Sequence, residues 1–413
     1  MLKKAAASSP IELVFDAAKF RAAHPRWTGL PGTPNHPLFV HARDAEYLKE
    51  HLQYVDWQGE CVLPLPAADL ATLTPSRRKT HVLVDKHGHV IGALVAPPLP
   101  GKSWAPILQD ANKAMRDARE EMSFPEQAHH HRRAFDEGPG FPSETAGMGF
   151  GGGRKEPGNV KATSAKNGRA MDKMLGNEAI GRMCTFPIGP FKSLCYPIFS
   201  AYHRNKRSLL ARQPGLRRLF PKSPSAAITT NLGPFSVSPP HADHGNKADG
   251  MCCITVLGEF DPDQGGHLVL WDYDLIVCFP PGCAILIPSA VVTHSNTPIQ
   301  DGEERFSLIQ YTAGGLFRWA ENGYKTDLAW KAGASAEDHA ARERARQARW
   351  QKALNNFSRW KDIKVGNYTG RVRAEVYAQA EAGGMSDLTD NEESEDNGEE
   401  SEERPRAKKI RCA

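Results

Sequence analysis

The chain lacks the long apolar segments that mark membrane-spanning and secreted proteins. No apolar run in its 413 residues reaches the roughly 20 residues that a transmembrane helix requires. After Met1–Ala5 the chain continues with Ser8, Ser9 and Pro10 instead of the apolar core of a signal peptide. We therefore expect a protein that is neither secreted nor inserted in a membrane. Its 40% hydrophobic content is enough for a substantial core.

Closely spaced cysteine pairs are also lacking. None of the eight cysteines forms a Cys-x-x-Cys pair. The adjacent Cys252 and Cys253 lie in an apolar run, where they are expected to be small buried side chains. This usage favours a reducing compartment, the cytosol or the nucleus.

Several common catalytic arrangements are missing as well. The sequence contains no convincing Ser-His-Asp triad or pair of catalytic carboxylates. The glycine run 149–153 lacks the Gly-Lys-Ser/Thr ending of a phosphate-binding loop and is interpreted as a hinge or a close-packing turn. His87 and His89 have metal-like spacing, but a turn between the apolar runs 80–84 and 90–95 explains them, and these runs predict a β-hairpin.

Short apolar runs in the second half of the chain predict a β fold. They are rich in β-branched and aromatic residues and are separated by Gly, Pro and Asp clusters, which is typical of an antiparallel barrel or a double-sheet jelly roll. The runs are 252–257, 267–271, 275–279, 284–288 and 306–312. We expect an α+β protein with a double-stranded β-helix (jelly-roll) core and flanking helices.

Composition divides the chain into five segments. Helix-like patterns at 111–121 and 336–360 flank the β region, and the stretch 386–403, with ten acids and no base, is predicted to be disordered. The predicted segments are an N-terminal α/β region with a β-hairpin (1–125), a basic loop and helical region packing on the core (126–225), the jelly-roll core (226–330), a C-terminal helical extension (331–385) and an acidic tail ending in a basic cluster (386–413).

Residue types suited to a metal site lie within the predicted β core. His241 is the one histidine followed two positions later by an aspartate, Asp243, and the alternation of an extended segment places both side chains on one face. His294 stands near a predicted strand end about fifty residues further on. Two imidazoles and one carboxylate suit ferrous iron and leave coordination positions open. We predict His241, Asp243 and His294 as metal ligands and catalytic residues.

An arginine and a serine follow the second histidine. Arg305 comes eleven residues after His294, beside an apolar run, and alternation places Ser307 on the same face. Standing alone, Arg305 would be interpreted as a surface arginine at a loop exit. In this setting we interpret it as the anchor of an acidic co-substrate, because a guanidinium fork matches the two oxygens of a carboxylate.

The order of these motifs resembles the 2-oxoglutarate/Fe(II)-dependent dioxygenase superfamily. The shared features are His-x-Asp, a Gly-Gly-x-Leu strand at 265–268, a Pro-Gly turn at 281–282, a distal His and Arg-x-Ser. Within the superfamily, Asn231, His241-Ala-Asp-x-x-Asn246 and His294-Ser-Asn296 are similar to the TET/JBP branch of nucleic-acid oxygenases, above all its short fungal, transposon-associated members. The resemblance covers about residues 75 to 325. The cysteine-rich zinc-binding extension of animal TET enzymes is missing.

The resemblance implies a cofactor set and a reaction. The metal would be Fe(II), the co-substrate 2-oxoglutarate and the oxidant O2, with Arg305, Ser307 and Asn231 binding the co-substrate. The reaction would oxidise 5-methylcytosine in DNA to 5-hydroxymethylcytosine or further oxidised bases, with succinate and CO2 as co-products, and would contribute to DNA demethylation.

Candidates for contacts to the target base lie close to the predicted ligands. They are Asn246, Asp249 and Trp271; their ordinary alternatives are a turn-forming Asn, a solvated Asp and a packed Trp. Two other functions stay open at this point. One is a prolyl-hydroxylase-like oxygenase acting on protein side chains, and the other is a catalytically silent DNA-binding accessory protein.

Basic segments suggest the partner and the compartment. Residues 202–222 carry seven Lys and Arg side chains and no acid, which suits a phosphate-contacting surface or the solvated face of a helix packed on the core. A second basic stretch, 154–173, is interpreted as a flexible loop near the site, and 404–411 resembles a nuclear-import signal. We expect a monomer that binds methylated DNA in the nucleus or, alternatively, a cytoplasmic protein. The predicted DNA-backbone residues are Arg204, Lys206, Arg207, Arg217 and Arg218.

Overall fold

The computed structural model describes residues 10–22, 27–32, 35–57, 80–97, 101–125 and 140–364. Contacts divide the chain into a unit of residues 1–368 and a second unit of residues 369–413, and every described residue belongs to the first unit. The predicted acidic tail and the terminal basic cluster lie outside the described residues. The five-segment division of the chain stays a prediction.

The described residues contain strands and helices in mixed order. The strands are β1 (Ile11–Glu12), β2 (Gln53–Val55), β3 (His81–Val84), β4 (Val90–Val95), β5 (Ser143–Gly149), β6 (Gly158–Asn159), β7 (Ala227–Asn231), β8 (Cys252–Glu259), β9 (Leu268–Leu270), β10 (Leu275–Val277), β11 (Ala284–Ile287), β12 (His294–Asn296) and β13 (Glu304–Tyr311). The helices are α1 (Ala45–His51), α2 (Gly101–Glu121), α3 (Ala165–Leu175), α4 (Glu178–Thr185), α5 (Ile188–Leu194), α6 (Tyr196–Arg212), α7 (Gly314–Glu321), α8 (Asp327–Gly333), α9 (Ala336–Leu354) and α10 (Trp360–Lys364).

Two sheets organise the described residues. The larger has the strand order β1-β3-β4-β11-β8-β13-β7-β5-β6, and the smaller has the order β12-β9-β10-β2. Pairings are antiparallel except for β1 with β3 and β10 with β2. Strands β8, β11 and β13 lie inside the larger sheet and are buried along nearly their whole length. Burial on both faces explains why the sequences of β8 and β11 are mainly apolar.

The strand predictions agree with the structure. The five apolar runs form β8, β9, β10, β11 and β13, and the hairpin is β3 paired with β4. The described chain is a mixed α/β protein with large antiparallel sheets and several helices. Its described strands do not close into a barrel, so of the two β architectures predicted from sequence only the double-sheet form stays open.

Helices α2, α3 and α4 cover one face of the larger sheet. Their apolar side chains, including Met115 and Met171, pack against sheet residues such as Leu308. The buried Asn112 of α2 donates from Nδ2 to the Gly258 carbonyl (3.0 Å) and accepts from the Gly258 amide (2.9 Å). Because Gly258 pairs with Arg305 between β8 and β13, this exchange also fixes the end of β8 next to Arg305.

One loop prediction is wrong. The stretch 154–173 was expected to be flexible, but its second half belongs to helix α3. The Ser164 hydroxyl caps this helix by accepting from the Asn167 amide (3.1 Å), and Ala170 and Met171 are buried against the sheet. Tertiary burial of one helix face outweighs the Gly- and Lys-rich composition.

The helix predicted over residues 336–360 is present as α9, which ends earlier, at Leu354, and Trp360 begins the separate helix α10. A capping box formed by Ser335 and Asp338 starts α9, and Trp350, Leu354 and Phe357 are buried as expected. Among the described residues, no helix combines the length and apolar character needed to cross a bilayer.

Candidate active site

The two predicted histidine ligands are direct neighbours. The His241 amide donates to the His294 carbonyl (3.0 Å), and the His294 amide donates to the His241 carbonyl (2.8 Å). Their ring centroids are 4.4 Å apart. A single backbone exchange therefore joins residues that are more than fifty positions apart in sequence.

A local hydrogen bond sets the tautomer of each imidazole in its neutral form. Nδ1 of His241 donates to the Pro239 carbonyl (2.7 Å), and Nδ1 of His294 donates to the Val292 carbonyl (3.0 Å). A carbonyl oxygen only accepts hydrogen bonds, so Nδ1 carries the proton in both rings. The lone pair of each neutral ring is then on Nε2, the form that binds a metal.

Asp243 follows His241 on a backbone that is fixed on both sides. Its amide donates to the Ser289 carbonyl (2.8 Å), its carbonyl accepts from the Asn246 amide (2.8 Å), and its side chain is buried. Two Nε2 donors and one buried carboxylate are the donor types that suit ferrous iron. These residues fit the metal that the sequence implies.

Arg305 is a buried cation on β13. It is 4% exposed, its Nη1 donates to the Ser236 carbonyl (3.0 Å), and its buried Nε has no hydrogen-bond partner among the described residues. Burial lowers the pKa of Arg305 to about 10. A buried guanidinium without a compensating carboxylate is costly, so this group suits a carboxylate ligand.

Ser307 lies two positions after Arg305 on β13 and contacts Asn231 of the neighbouring strand. Ser307 pairs with Asn231 between β13 and β7, and the Asn231 Nδ2 donates to the Ser307 hydroxyl (3.0 Å). Alternation along β13 puts Ser307 on the same face as Arg305. A guanidinium, a hydroxyl and an amide are group types that can bind a carboxylate.

Asn296 connects the arginine to the histidines. Its Nδ2 donates to the Ser236 carbonyl (3.1 Å), which also accepts from Arg305, and its Oδ1 accepts from the Ser238 amide (3.0 Å). The segment from Ser236 to His241 thus runs beside β12 and holds both groups. The sequence placed Asn296 in a motif but gave it no role; its alternation with His294 was the available signal.

The three candidate base-contacting residues have different surroundings. Asn246 is half-buried and donates from Nδ2 to the Ser289 hydroxyl (3.2 Å). Asp249 is buried, forms an ion pair with Lys247 and accepts a hydrogen bond from Asn356 Nδ2 (2.7 Å). Its carboxylate is therefore used in contacts within the folded protein. This differs from the solvated Asp considered as its alternative.

Trp271 is packed as its ordinary alternative predicts. It is buried, donates from Nε1 to the Ser295 hydroxyl (2.9 Å) and has its ring centroid 4.8 Å from that of Phe39. Ser295 lies between His294 and Asn296, so Trp271 supports the strand from the opposite face.

Lys206 does not lie on a phosphate-contacting surface in this structure. It is buried in α6, where Nζ donates to the carbonyls of Ser223 (2.8 Å) and Ser225 (3.0 Å). Burial lowers its pKa to about 8. A buried ammonium with two carbonyl acceptors ties α6 to the segment before β7.

The other predicted backbone-contacting residues are more accessible. Arg207 and Arg218 are exposed. Arg204 is half-buried and donates from Nη1 to the Ser200 hydroxyl (2.9 Å), while Arg217 is paired with Asp172. Helix α6 ends at Arg212, so Arg217 and Arg218 belong to the segment that follows it.

A second set of metal-ligand types lies elsewhere. One donor atom from each of Asp56, Asp263 and Cys278 lies within 4.8 Å of the others. Both carboxylates are exposed, and the Cys278 thiol donates to the Pro262 carbonyl (3.5 Å). Exposed acidic groups of this kind are common without a metal.

Comparisons with known proteins do not assign this chain to a family. No protein family matches it, and no curated protein matches it. One solved structure that it resembles is NgTET1 in complex with 5mC DNA, with 15% sequence identity and a TM-score of 0.34, over 58% of this chain and 78% of that chain. At this identity and TM-score the likeness assigns neither a family nor an activity to the chain.

Proposed function

We propose that this chain is an Fe(II)- and 2-oxoglutarate-dependent dioxygenase with a jelly-roll core. The observation that carries the proposal is the pairing of His241 with His294, each with its Nδ1 proton on a backbone carbonyl, beside the buried Asp243. The uncompensated guanidinium of Arg305 supports a dicarboxylate as the second ligand.

Each residue has a defined task in this proposal. His241 Nε2, Asp243 and His294 Nε2 would hold iron, which supplies oxidation by O2 coupled to decarboxylation of 2-oxoglutarate to succinate and CO2. Arg305 and Ser307 would bind and orient the co-substrate carboxylate remote from its oxo group. The Asn231 amide would orient the Ser307 hydroxyl, and the surrounding buried strands would exclude water.

We propose 5-methylcytosine in DNA as the substrate. This rests on the motif resemblance through Asn246 and Asn296 and on the exposed cations Arg207 and Arg218 near the core. A base inside a duplex has to be flipped into the site at a cost of a few kcal/mol. In this proposal the half-buried amide of Asn246 would contact the flipped base. Nuclear localisation and a monomeric state belong to the same proposal.

The test measures co-product and product together. Purified protein with Fe(II), 2-oxoglutarate and a methylated oligonucleotide should form succinate and oxidised 5-methylcytosine, both followed by mass spectrometry. Asp243→Asn should abolish both products, whereas Asp301→Asn, which removes an exposed carboxylate, should keep wild-type turnover. Succinate formation that only a peptide stimulates would refute the DNA substrate and favour the protein-hydroxylase alternative. Full activity of Asp243→Asn would refute the metal site.

A further inference from the structure

A basic groove lies between helices α7, α8 and α9. Its cavity has a volume of about 270 Å³. Four lining side chains are cations, Arg318, Lys331, Arg342 and Arg346, against two acids, Asp327 and Glu343. The groove therefore carries an excess of positive charge before any contribution from His339 at its edge. We call it the arginine groove.

The three arginines of the groove are incompletely satisfied. Arg318 Nε, Arg342 Nη1 and Arg346 Nε are buried and have no hydrogen-bond partner among the described residues. Arg318 Nε lies 3.1 Å from an Asp327 oxygen but is not aligned for a hydrogen bond. Buried donors without acceptors are rare in native proteins and commonly mark a position where an ion or water binds.

A single carboxylate serves two of these guanidinium groups. Asp327 pairs with Arg318 and accepts from Arg342 Nη2 at 3.0 Å. Burial raises the pKa of Asp327, but a hydrogen bond from Asn322 and the charges of the two arginines lower it overall. The acid is thus ionised, and one negative charge still faces two positive ones.

The groove is preorganised. The Arg342 guanidinium lies 3.9 Å from the centroid of the Trp330 ring, a stacking that limits its motion. Arg342 and Arg346 are four residues apart on α9 and share one helix face. A rigid, planar set of donors is better suited to the oxygens of a phosphate than flexible lysines are.

Helix α7, which carries Arg318 of the groove, begins close to the candidate active site. The Gly314 amide at the start of α7 donates to the Gly245 carbonyl (3.1 Å), just after Asp243, and Asn246 forms a backbone bridge with Ala313. Arg318 is four residues further along α7, a rise of about 6 Å. Helix α7 also packs on the basic helix α6, with the Tyr202 and Phe317 ring centroids 5.5 Å apart.

We propose that the arginine groove binds the phosphodiester backbone of DNA beside the target base. The inference rests on the proposed function for its partner. Helix α7 forms one wall of the groove and contacts both the Asp243–Asn246 loop and the basic helix α6. These contacts favour a nucleic-acid strand over an acidic protein segment. The groove extends the DNA-contacting surface beyond residues 202–222 to the helices that follow β13.

The test is DNA binding of the full chain as a function of salt. Affinity for a fluorescein-labelled duplex is measured by anisotropy at several salt concentrations for the wild type and for Arg342→Gln/Arg346→Gln. The matched control is Arg344→Gln/Lys352→Gln, which removes the same charge from exposed positions of α9. Arg344 is two residues from both groove arginines and so points about 200° away from them around the helix.

The groove variant should bind DNA about tenfold more weakly, with the slope of log K against log salt reduced by about 1 to 2. The loss should be equal for methylated and unmethylated duplexes, because phosphate contacts carry no base information. The control should change the slope by less than half as much. The exposed Lys331→Gln, which cannot disturb the core, should reduce the slope in the same direction.

Equal losses in the groove variant and its control would overturn the proposal. The proposal would also be overturned if the groove variant binds DNA normally but loses affinity for a synthetic peptide of residues 386–403. The groove would then bind an acidic peptide segment instead of DNA. The product assay is independent of this measurement. If the protein oxidises no base but the groove variant alone loses DNA affinity, DNA binding by the groove is supported and the oxygenase proposal is refuted. If the enzyme is active but the groove variant binds DNA like the wild type, the oxygenase proposal is supported and DNA binding by the groove is refuted.

Discussion

Replacing Arg305 with Met should stabilise the protein without ligands while removing its response to 2-oxoglutarate. Burial lowers the pKa of Arg305 from the ordinary guanidinium value to about 10. At about 1.4 kcal/mol for each pKa unit, holding this charge in the fold costs about 3 kcal/mol. The lost hydrogen bond to the Ser236 carbonyl offsets about 1 kcal/mol of the gain. The net gain should raise the unfolding midpoint by a few degrees.

The ligand should reverse the order of stability. With Mn²⁺ as a redox-inert substitute for Fe²⁺, 2-oxoglutarate at a hundred times its Kd should stabilise the wild type by about 2.7 kcal/mol. The Met variant should show no such stabilisation, since the carboxylate would lose its bidentate partner. Thermal unfolding with and without co-substrate measures both effects.

The pH dependence gives a further check on the same residue. A base whose folded pKa is depressed carries its full cost below that pKa, and the cost declines as pH rises through about 10. The stability difference between the Met variant and the wild type should therefore shrink above pH 10. The two proteins share all other groups that titrate in this pH range. Subtracting their free energies of unfolding therefore removes the contribution of those groups.

Arg116→Met is the matched control. Arg116 donates to Glu304 (2.6 Å) and pairs with Glu259, so its charge is compensated. Its loss should leave the protein equally or less stable, with the 2-oxoglutarate response intact. If Arg305→Met destabilises the protein and still responds to 2-oxoglutarate like the wild type, Arg305 is a structural residue and the co-substrate assignment fails.

Three other substitutions test neighbouring parts of the structure. Asn296→Ala should raise the KM for 2-oxoglutarate about tenfold while metal binding, followed by calorimetry, is retained; lost metal binding would contradict its role in positioning the arginine. Lys247→Met should cost about 3–5 kcal/mol of unfolding free energy in urea because it leaves Asp249 charged and buried, and adding Asp249→Leu should restore much of the loss. Burial raises the pKa of Asp85, but hydrogen bonds from the His89 side chain and from backbone amides outweigh it and hold the pKa at about 2. Asp85→Asn should therefore lose about 2 kcal/mol at neutral pH, a difference that fades as pH falls from about 4 to 2; a constant difference across that range would argue against an ionised Asp85.

The sequence was sufficient for the features that depend on local pattern. Alternating and continuous apolar runs determined the strands β8 to β11 and β13, because burial of a strand face requires apolar side chains at fixed spacing. The same alternation placed His241 with Asp243 and Arg305 with Ser307. The order of these residue types along the chain was enough to predict a metal and dicarboxylate site.

Only the tertiary structure decided which of those groups contact each other and which form contacts that stabilise the fold. The exchange between His241 and His294, and the Ser236 carbonyl shared by Arg305 and Asn296, join segments about fifty or more residues apart. Burial of Lys206 and pairing of Asp249 likewise depend on partners that composition does not reveal. A charged residue has the same symbol in the sequence whether water or a carbonyl solvates it. Its availability for DNA or co-substrate is therefore set by the packing of distant segments.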